Sequence, residues 1–341
     1  KRQVAYVPSD TYTGDLKWET TSQFNVGVDL SLFNNRLRMT ADYYRKKTTD
    51  LLNNVEMPRS SGYTTALRNI GSIRNSGFEL QLDGRIIDRA VKWDLGVNFS
   101  LNRSKVLVLS EDKDIFGGEL DNTILKDQLN LMRVGEPMYV FYGYVEDGYD
   151  ENGHIVYKNM DDDPAITAAD KTIIGDPNPD FLVNLTTAVS YKGFTLSAFF
   201  QSSIGNDIYS LSMAAQAYDY GYNGNTLREV YYNHWTPENP TAKYPNLDQT
   251  SYKMSDRFVY DGSFVRLKNL ELAYDVPCAR SKFIKRARVY VSAQNLFTIT
   301  SYPFWDPDIN ANGGGSSMIQ GVDSYCYPSA RTYTIGCRLT F

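Results

Sequence analysis

The sequence predicts an all-β protein, a transmembrane antiparallel β-barrel, from three observations. Nine segments alternate between apolar and polar side chains, so that the apolar ones leave one face of a strand. The connections between these segments alternate between short and long. No run of eighteen apolar residues occurs, which excludes a spanning helix but leaves spanning strands open. Paired strands with an apolar outer face are typical of a barrel wall in lipid.

The first four predicted strands form two pairs. Gln23–Leu32 alternates strictly, with apolar side chains at every second position, and Asn34-Asn35 follows as a tight turn. Leu37–Tyr44 continues the pattern on the other side of that turn. Phe78–Ile86 and Trp93–Asn102 repeat the arrangement. Each segment approaches the length that a tilted strand needs to cross a bilayer.

Five further strands show the same alternation; they are predicted at Phe181–Val189, Phe194–Phe200, Phe264–Asp275, Ala287–Ala293 and Arg331–Phe341. In the third of these the phase slips around Lys268-Asn269, which predicts a β-bulge. In the last of them, Tyr333, Ile335, Cys337 and Leu339 share one face with the terminal residue. About nine strands are therefore expected.

The connections predict the orientation of the strands. Short connections are expected at Asn34–Arg36, Ile87–Lys92, Tyr191–Gly193 and Val276–Arg286, and long ones at Asn53–Ser76, Ser110–Pro179, Ser202–Arg257 and Thr300–Ala330. In outer-membrane barrels short turns face the periplasm and long loops face outward. The first and last strands then both run from outside to periplasm, which places Lys1–Lys17 in an extracellular loop.

Nine strands cannot close a barrel of even strand number, and an open sheet would leave unpaired edges in lipid. We therefore expect other strands from outside this sequence. The chain also begins in a polar segment without a signal peptide. The sequence thus predicts that residues 1–341 are the carboxy-terminal part of one β-barrel domain, with the first strands absent.

The amino-acid composition limits the classes of molecule that this chain is expected to contact. Tyrosine occurs 26 times and aromatic residues make up 13% of the chain, which suits membrane-interface girdles as well as carbohydrate-binding proteins. The net charge of -5 and the absence of a basic cluster in the sequence argue against a nucleic-acid partner.

Short motifs along the chain resemble the barrel of the SusC/RagA-like TonB-dependent transporters of Bacteroidetes. They are found at Gly14–Thr21, Asn25–Asp29, Asp42–Thr48, Ser61–Tyr63, Asn69–Gly77, Ile174–Pro179, Ser263–Asn269, Ala293–Phe297 and in the terminal strand. Their order and spacing carry the resemblance, which covers nearly the whole chain. The aromatic last residue is also the usual ending of bacterial outer-membrane barrels.

The resemblance implies a 22-stranded barrel with an amino-terminal plug, of which this chain would supply roughly strands 14 to 22. It further implies location in the outer membrane of a Gram-negative cell, energy supplied through TonB, and a SusD-like surface lipoprotein as a hinged lid. The expected function is active import of an oligosaccharide or a peptide. No enzymatic activity and no organic cofactor are expected. The plug, the TonB contact and the first strands would lie in the missing part.

One acidic segment predicts a calcium loop. Over twelve residues, Asn159, Asp161, Asp163 and Asp170 occupy positions one, three, five and twelve, and Ala165 would offer its carbonyl at position seven. Proline replaces the glycine expected at the sharp turn, and position twelve is Asp rather than Glu. The alternative interpretation is an acidic surface turn without a metal. A bound calcium ion would stiffen the outward loop.

Two tryptophans in outward connections, Trp235 and Trp305, are candidates to stack on substrate or to meet the lid; packing within the loops or on the rim is the alternative. The two histidines, His154 and His234, lie in outward connections without a nucleophile motif, so catalysis is not expected. Two other functions remain open: a passive porin or adhesin barrel, and a soluble carbohydrate-binding or glycosidase β-domain, the latter as a multi-sheet sandwich or propeller.

Overall fold

An antiparallel sheet of nine long strands forms the wall of the structure, a computed structural model that describes residues 15–56, 65–110, 113–121, 125–218, 225–278, 283–309 and 318–341. In chain order the strands are β1 (Thr20–Leu32), β2 (Leu37–Glu56), β3 (Thr65–Asp88), β4 (Val91–Leu109), β5 (Ile115–Phe116), β6 (Glu119–Asp121), β7 (Lys126–Gln128), β8 (Asn130–Met132), β9 (Val140–Gly143), β10 (Glu146–Tyr149), β11 (Ile155–Tyr157), β12 (Thr172–Gly175), β13 (Phe181–Tyr191), β14 (Phe194–Ile204), β15 (Asp207–Ser210), β16 (Val259–Asp261), β17 (Phe264–Val276), β18 (Arg286–Thr300), β19 (Val322–Asp323) and β20 (Thr332–Thr340).

Helices are few and short. They are α1 (Leu211–Tyr218) and α2 (Arg228–Tyr232), with single 3₁₀ turns at Ala168–Asp170 and Asp256–Phe258. No helix in the described part of the chain is long and apolar enough to cross a membrane. All of these helical elements lie in the long connections, where the alternating pattern gave no sign of them.

The wall has the order β1-β2-β3-β4-β13-β14-β17-β18-β20, so each strand pairs with the wall strands before and after it. The nine-stranded antiparallel sheet is therefore confirmed. β1 and β20 stand at its two ends and do not pair with each other. The predicted bulge is confirmed as well, because the β14–β17 register skips one residue, Lys268, between Leu267 and Asn269.

The short turns follow the predicted chemistry. Asn34 and Asn35 both have positive φ, and the amide of Arg36 donates to the carbonyl of Phe33. Asparagine tolerates this left-handed backbone better than most residues, which is why the tight turn forms there. These turns lie at one end of the wall, and the long connections lie at the other.

The predicted long loop at Asn53–Ser76 is wrong for most of its length. β2 continues to Glu56 and β3 begins at Thr65; residues 57–64 lie outside the described part. The β2–β3 register shifts near Asp50 and Gly71, whose φ angles are positive. These irregularities break the alternation of apolar and polar side chains, so the sequence pattern did not reveal the parts of β2 and β3 nearest their connection. Residues 1–14 of the expected extracellular loop at Lys1–Lys17 also lie outside the described residues.

The outer face of the wall is apolar and uncovered by other parts of the described chain. Exposed apolar side chains run along this face, among them Phe24, Val28, Phe78, Val189, Phe194, Leu272, Val291, Ile335 and Leu339. In water such a surface would promote association, whereas lipid covers it without penalty. The wall itself has no core behind this face.

The buried core lies in the long connections. Residues of the β4–β13, β14–β17 and β18–β20 connections form one cluster, which includes Phe141, Tyr209, Tyr244, Phe258 and Val322, each at most 2% exposed. A smaller cluster joins the connections to the wall through Ile73 and Val106 on β3 and β4. The long connections are therefore a folded unit that covers one end of the sheet.

Candidate functional site

The inner face of the wall is polar and concave. Near the short-turn end, a concavity of about 620 Å³ is lined by Arg36, Arg38, Asp83, Arg85, Asp94 and Thr186, among others. Halfway along the strands a second concavity of about 380 Å³ is lined by Asp42, Glu79, Gln81, Asn98 and Asn184, among others. These residues alternate in sequence with the apolar outward ones. The inner face can therefore hold a polar protein segment or a hydrated substrate.

Part of this inner charge is paired within the wall. Arg85 Nε donates to Asp94 Oδ1 at 2.8 Å, and Thr40 Oγ1 donates to Asp29 Oδ1 at 2.7 Å. Asn184 Oδ1 is buried and accepts no hydrogen bond from the described residues. Its unused acceptor suits a donor from another segment inside the barrel.

A buried polar network holds the last long connection, between β18 and β20, against α1 in the connection between β14 and β17. Tyr302 Oη lies 2.6 Å from Asp323 Oδ2 and 2.9 Å from Ser210 Oγ. Ser212 Oγ donates to Asp323 Oδ1 and accepts from the amide of Tyr325. Burial raises the pKa of Tyr302 well above its ordinary value, as does its donation to the carboxylate. The phenol therefore stays protonated and keeps both connections in place.

A second network joins the hairpin β10–β11 to the residues before β16. The Arg257 guanidinium bonds both carboxylate oxygens of Glu146, and it also donates to Tyr149 Oη at 3.1 Å. Ser255 Oγ donates to the same carboxylate at 2.6 Å. Burial alone would lower the pKa of Arg257, but hydrogen bonding to Glu146 outweighs it and raises the pKa. The guanidinium therefore stays charged throughout the physiological range.

The rim of the wall is joined to the last long connection by a buried ion pair. Arg266 on β17 is 2% exposed and its Nη2 bonds Asp306, which is 6% exposed. Its other nitrogens donate to Thr298 Oγ1 at 2.9 Å and to Asp308 Oδ2 and Ser329 Oγ at 3.3 Å. The guanidinium thus links two wall strands to the loop that carries Trp305.

The residues of the predicted calcium loop form a ladder of turns. Side-chain oxygens of Asn159, Asp161 and Asp163 each accept the amide two residues ahead, at 2.8–3.0 Å. Both carboxylate oxygens of Asp170 accept amides, from Met160 and from the residue at position nine of the loop. These bonds lower the pKa of Asp170. The loop is closed by its own hydrogen bonds, and Asp170 is 0% exposed.

Ala165 takes part in this ladder through its amide, which donates to Asp163. Within the described residues, no three His, Cys, Asp or Glu side chains are grouped so that they could hold a metal ion. The arrangement therefore does not present a ready coordination shell, and side chains would have to be re-aimed to build one. Calcium binding by this loop stays a prediction.

The two predicted tryptophans differ in their surroundings. Trp235 is half-buried, and its indole lies against Gly153 of the β10–β11 hairpin. Trp305 is 57% exposed and stacks on Phe304, with ring centroids 4.7 Å apart. Trp305 therefore remains available to a ligand or partner, whereas Trp235 contributes to loop packing.

Sequence reasoning missed four other exposed aromatic side chains at this end of the molecule. They are Tyr231 and Tyr232 on α2, and Tyr325 and Tyr327 in the last long connection. Their exposed fractions run from 52% to 91%. The tyrosine-rich composition was the signal for such a surface, but only the folded loops show which tyrosines face outward.

The histidines have local structural partners. His154 Nε2 lies 2.8 Å from Asp248 Oδ1, and His234 Nδ1 lies 2.8 Å from the carbonyl of Tyr231. The His154 ring thus joins two loop segments, whereas the His234 ring contacts its own segment. Neither contact resembles a nucleophile–base pair.

Curated proteins similar in sequence to this chain are TonB-dependent receptors. TonB-dependent receptor P3 of Formosa agariphila is 34% identical over 98% of this chain and 35% of its own length. TonB-dependent receptor SusC of Bacteroides thetaiotaomicron is 29% identical over 97% of this chain and 33% of its own length. The chain thus spans about a third of the length of these relatives.

Solved structures agree with the sequence comparison. The RagAB peptide transporter superposes with a TM-score of 0.82 at 29% identity, over 98% of this chain and 36% of that one. The RagAB peptide importer in its "closed-closed" state gives a TM-score of 0.83 at 28% identity, with the same coverage. The likeness to the SusC/RagA group is therefore confirmed in sequence and in structure, and so is the outer-membrane location expected from it.

The family comparison covers most of the wall. Residues 4–296 match the family described as TonB dependent receptor-like, beta-barrel. The match includes every wall strand up to β17 and most of β18. The chain belongs to the TonB-dependent receptor-like β-barrel family and forms part of an outer-membrane barrel.

Proposed function

We propose that this chain is the wall and mouth of a transporter that imports an oligosaccharide or a peptide across the outer membrane, with energy supplied through TonB. The observation that carries the proposal is the nine-stranded wall, which is apolar outside, polar inside and matched to a TonB-dependent receptor barrel. Its two end strands, β1 and β20, need partners in lipid. The rest of the same transporter supplies them.

The polar inner face suits a plug that fills the barrel. The larger concavity carries charges of both signs. The smaller one carries two carboxylates and a buried acceptor, Asn184 Oδ1, without a partner among the described residues. A folded polar segment can satisfy such groups while blocking free passage of water and ions. In this proposal TonB pulls on that plug, and the wall described here stays rigid.

The folded connections suit contact with a SusD-like lipoprotein that closes over the mouth. Their described residues have a core of their own, a partly buried ion pair between Arg257 and Glu146, and a buried ion pair to the wall, so they present a fixed surface rather than a mobile one. Aromatic side chains at this end can stack on sugar rings or pack on peptide side chains. One structural relative is described as a peptide transporter, RagAB, so the proposal keeps both oligosaccharides and peptides as substrate classes.

Uptake by the full-length transporter with and without TonB tests active import. We expect accumulation of substrate to stop when TonB is depleted, while the amount of transporter in the outer membrane stays unchanged. Uptake that continues at the same rate without TonB would refute the proposal and favour a passive porin. Co-purification from detergent extracts tests the lid, and a transporter that never carries a lipoprotein would contradict that part.

A pair of aromatic substitutions tests the mouth. Trp305→Ala removes an exposed ring from the last long connection, whereas Tyr333→Ala removes one of similar exposure from the outer face of β20. Base–aromatic stacking on exposed rings is worth about 1–3 kcal/mol in nucleic-acid binding, and we expect a comparable loss of substrate affinity for Trp305→Ala only. Equal effects of the two variants would argue against a substrate contact at Trp305.

A further inference from the structure

Five cations form a cluster on the outer face of β2, β3 and β4, just beyond the apolar band. We call it the outer-face cation cluster; its members are Arg45, Lys47, Arg74, Arg103 and Lys105. The register fixes their placement. Tyr43, Phe78 and Leu101 are directly paired across these three strands and form the last apolar row. The cations occupy the same face in the next two rows.

The rows are aligned across the strands. Arg45 pairs with Ser76 and Ser76 with Arg103, while Lys47 pairs with Arg74 and Arg74 with Lys105. Directly opposed residues on neighbouring strands have Cβ atoms about 4.5–5.5 Å apart. Successive rows on one face are about 7 Å apart. The cluster therefore covers an area that one or two phosphate groups can span.

Such an arrangement opposes folding unless an anion compensates it. Like charges placed directly opposite in a sheet are destabilising, and Arg74 has one on each side. Within the described part of the chain, the cluster makes one ion pair, between Arg103 and Asp180 at 2.7 Å, and both side chains of that pair are half exposed. Four cations are left without a carboxylate partner there.

The depth of the cluster points to a lipid headgroup. On β4 the apolar residues of the outer face run from Trp93 to Leu101, about 27 Å along the strand at roughly 3.4 Å per residue. A strand tilt of about 40° converts this to about 20 Å of bilayer thickness, near the height of the apolar band in such barrels. Arg103 and Lys105 follow at the long-loop end, which faces outward. The cluster therefore lies at the outer interface.

We propose that the outer-face cation cluster binds the phosphate groups of lipid A, the phosphorylated glycolipid of the outer leaflet. Phosphate accepts paired hydrogen bonds from guanidinium groups and attracts ammonium groups, so Arg and Lys in one patch match it. Phe24, 61% exposed and paired with Arg45, adds an apolar contact beside the patch for the acyl chains. Binding removes the repulsion within the row Lys47, Arg74, Lys105.

Binding of purified lipid A to the full-length transporter in detergent micelles, followed by native mass spectrometry, tests this proposal. The test variant is Arg74→Gln/Lys105→Gln. The matched control is Lys192→Gln/Lys285→Gln, which removes two cations at the short-turn end. Basic residues near an anionic membrane surface typically change affinity roughly fivefold each, so we expect about a thirtyfold loss for the test variant and none for the control.

Two lipid controls identify the ligand. We expect dephosphorylated lipid A to bind no better to the parent protein than to the test variant, and phosphatidylglycerol to bind more weakly than lipid A. Melting temperatures of all proteins establish that the variants are folded. Unchanged lipid A binding by the folded test variant, or an equal loss in the control, would overturn the proposal. Equal affinity for phosphatidylglycerol would overturn the assignment to lipid A.

Discussion

The buried ion pair at the rim gives a direct test of how the mouth is held to the wall. Asp306→Asn keeps the size of the side chain but removes the charge that faces Arg266, a guanidinium only 2% exposed. The guanidinium keeps Thr298, Ser329 and Asp308 as hydrogen-bond acceptors. The substitution therefore removes the charge at nearly constant side-chain size, and it also replaces one of the two oxygens that accept the amides of Asp308 and Ser329 by a donor.

The expected loss follows from the burial of both partners. Removing one partner of a buried pair costs about 3–5 kcal/mol, because the remaining charge stays in a medium of low polarity. The Asp308 carboxylate, 3.3 Å from Arg266 and partly exposed, compensates some of it. We therefore expect about 3 kcal/mol, which corresponds to roughly a hundredfold larger population of the detached loop.

Lowering the pH should also increase the population of the detached loop in the unmodified protein, because it protonates Asp306. Burial raises the pKa of Asp306, but the amides of Ser329 and Asp308 and the Arg266 guanidinium outweigh it, so the pKa lies below its ordinary value. The stabilisation is then fully present above about pH 4 and is lost as the pH falls through the lower pKa of the folded state. Asp306→Asn should remove this dependence.

Limited proteolysis of the full-length transporter in detergent measures the effect. Cleavage between residues 301 and 331 should accelerate about a hundredfold in Asp306→Asn when loop opening is faster than cleavage. Asp308→Asn is the control, since this side chain is 41% exposed and should contribute less than about 1 kcal/mol. Equal cleavage of Asp306→Asn and the parent protein would refute the assigned role of the ion pair.

Three other substitutions test local features. In Gly77→Ala the new Cβ would lie 2.5 Å from the ring of Tyr44 and 2.6 Å from a neighbouring carbonyl oxygen. We therefore expect about 1–3 kcal/mol of destabilisation in thermal melts of the folded barrel. The control is Gly84→Ala, whose nearest contact is 3.4 Å and which should melt like the parent protein. Glu146→Gln leaves the partly buried guanidinium of Arg257 without its carboxylate, and hydrogen exchange in the β10–β11 hairpin should accelerate; unchanged exchange would contradict the pairing. If the calcium loop prediction holds, millimolar Ca²⁺ should raise the melting temperature of the parent but not of Asp170→Asn; no rise in the parent would exclude it.

The alternation of side chains was sufficient to predict the wall. Nine predicted strands became the nine-stranded sheet because a strand in lipid must present apolar residues at every second position, and this requirement is visible in sequence. The pattern also predicted the turn at Asn34-Asn35 and the bulge at Lys268. It failed at Asn53–Ser76, where the strands leave the lipid and pairing no longer requires alternation.

Tertiary structure decided the arrangement of the mouth. Trp235 and Trp305 had equivalent signals in sequence, yet one lies against Gly153 while the other is exposed. The partners of Arg266 and Arg257 are 40 and 111 residues away along the chain, and only the packing of the long connections brings them together. The sequence by itself determined the strands of the wall, since each strand meets the same lipid along its own length. The contacts of the loops depend on segments far apart in sequence, which only the folded chain brings into register.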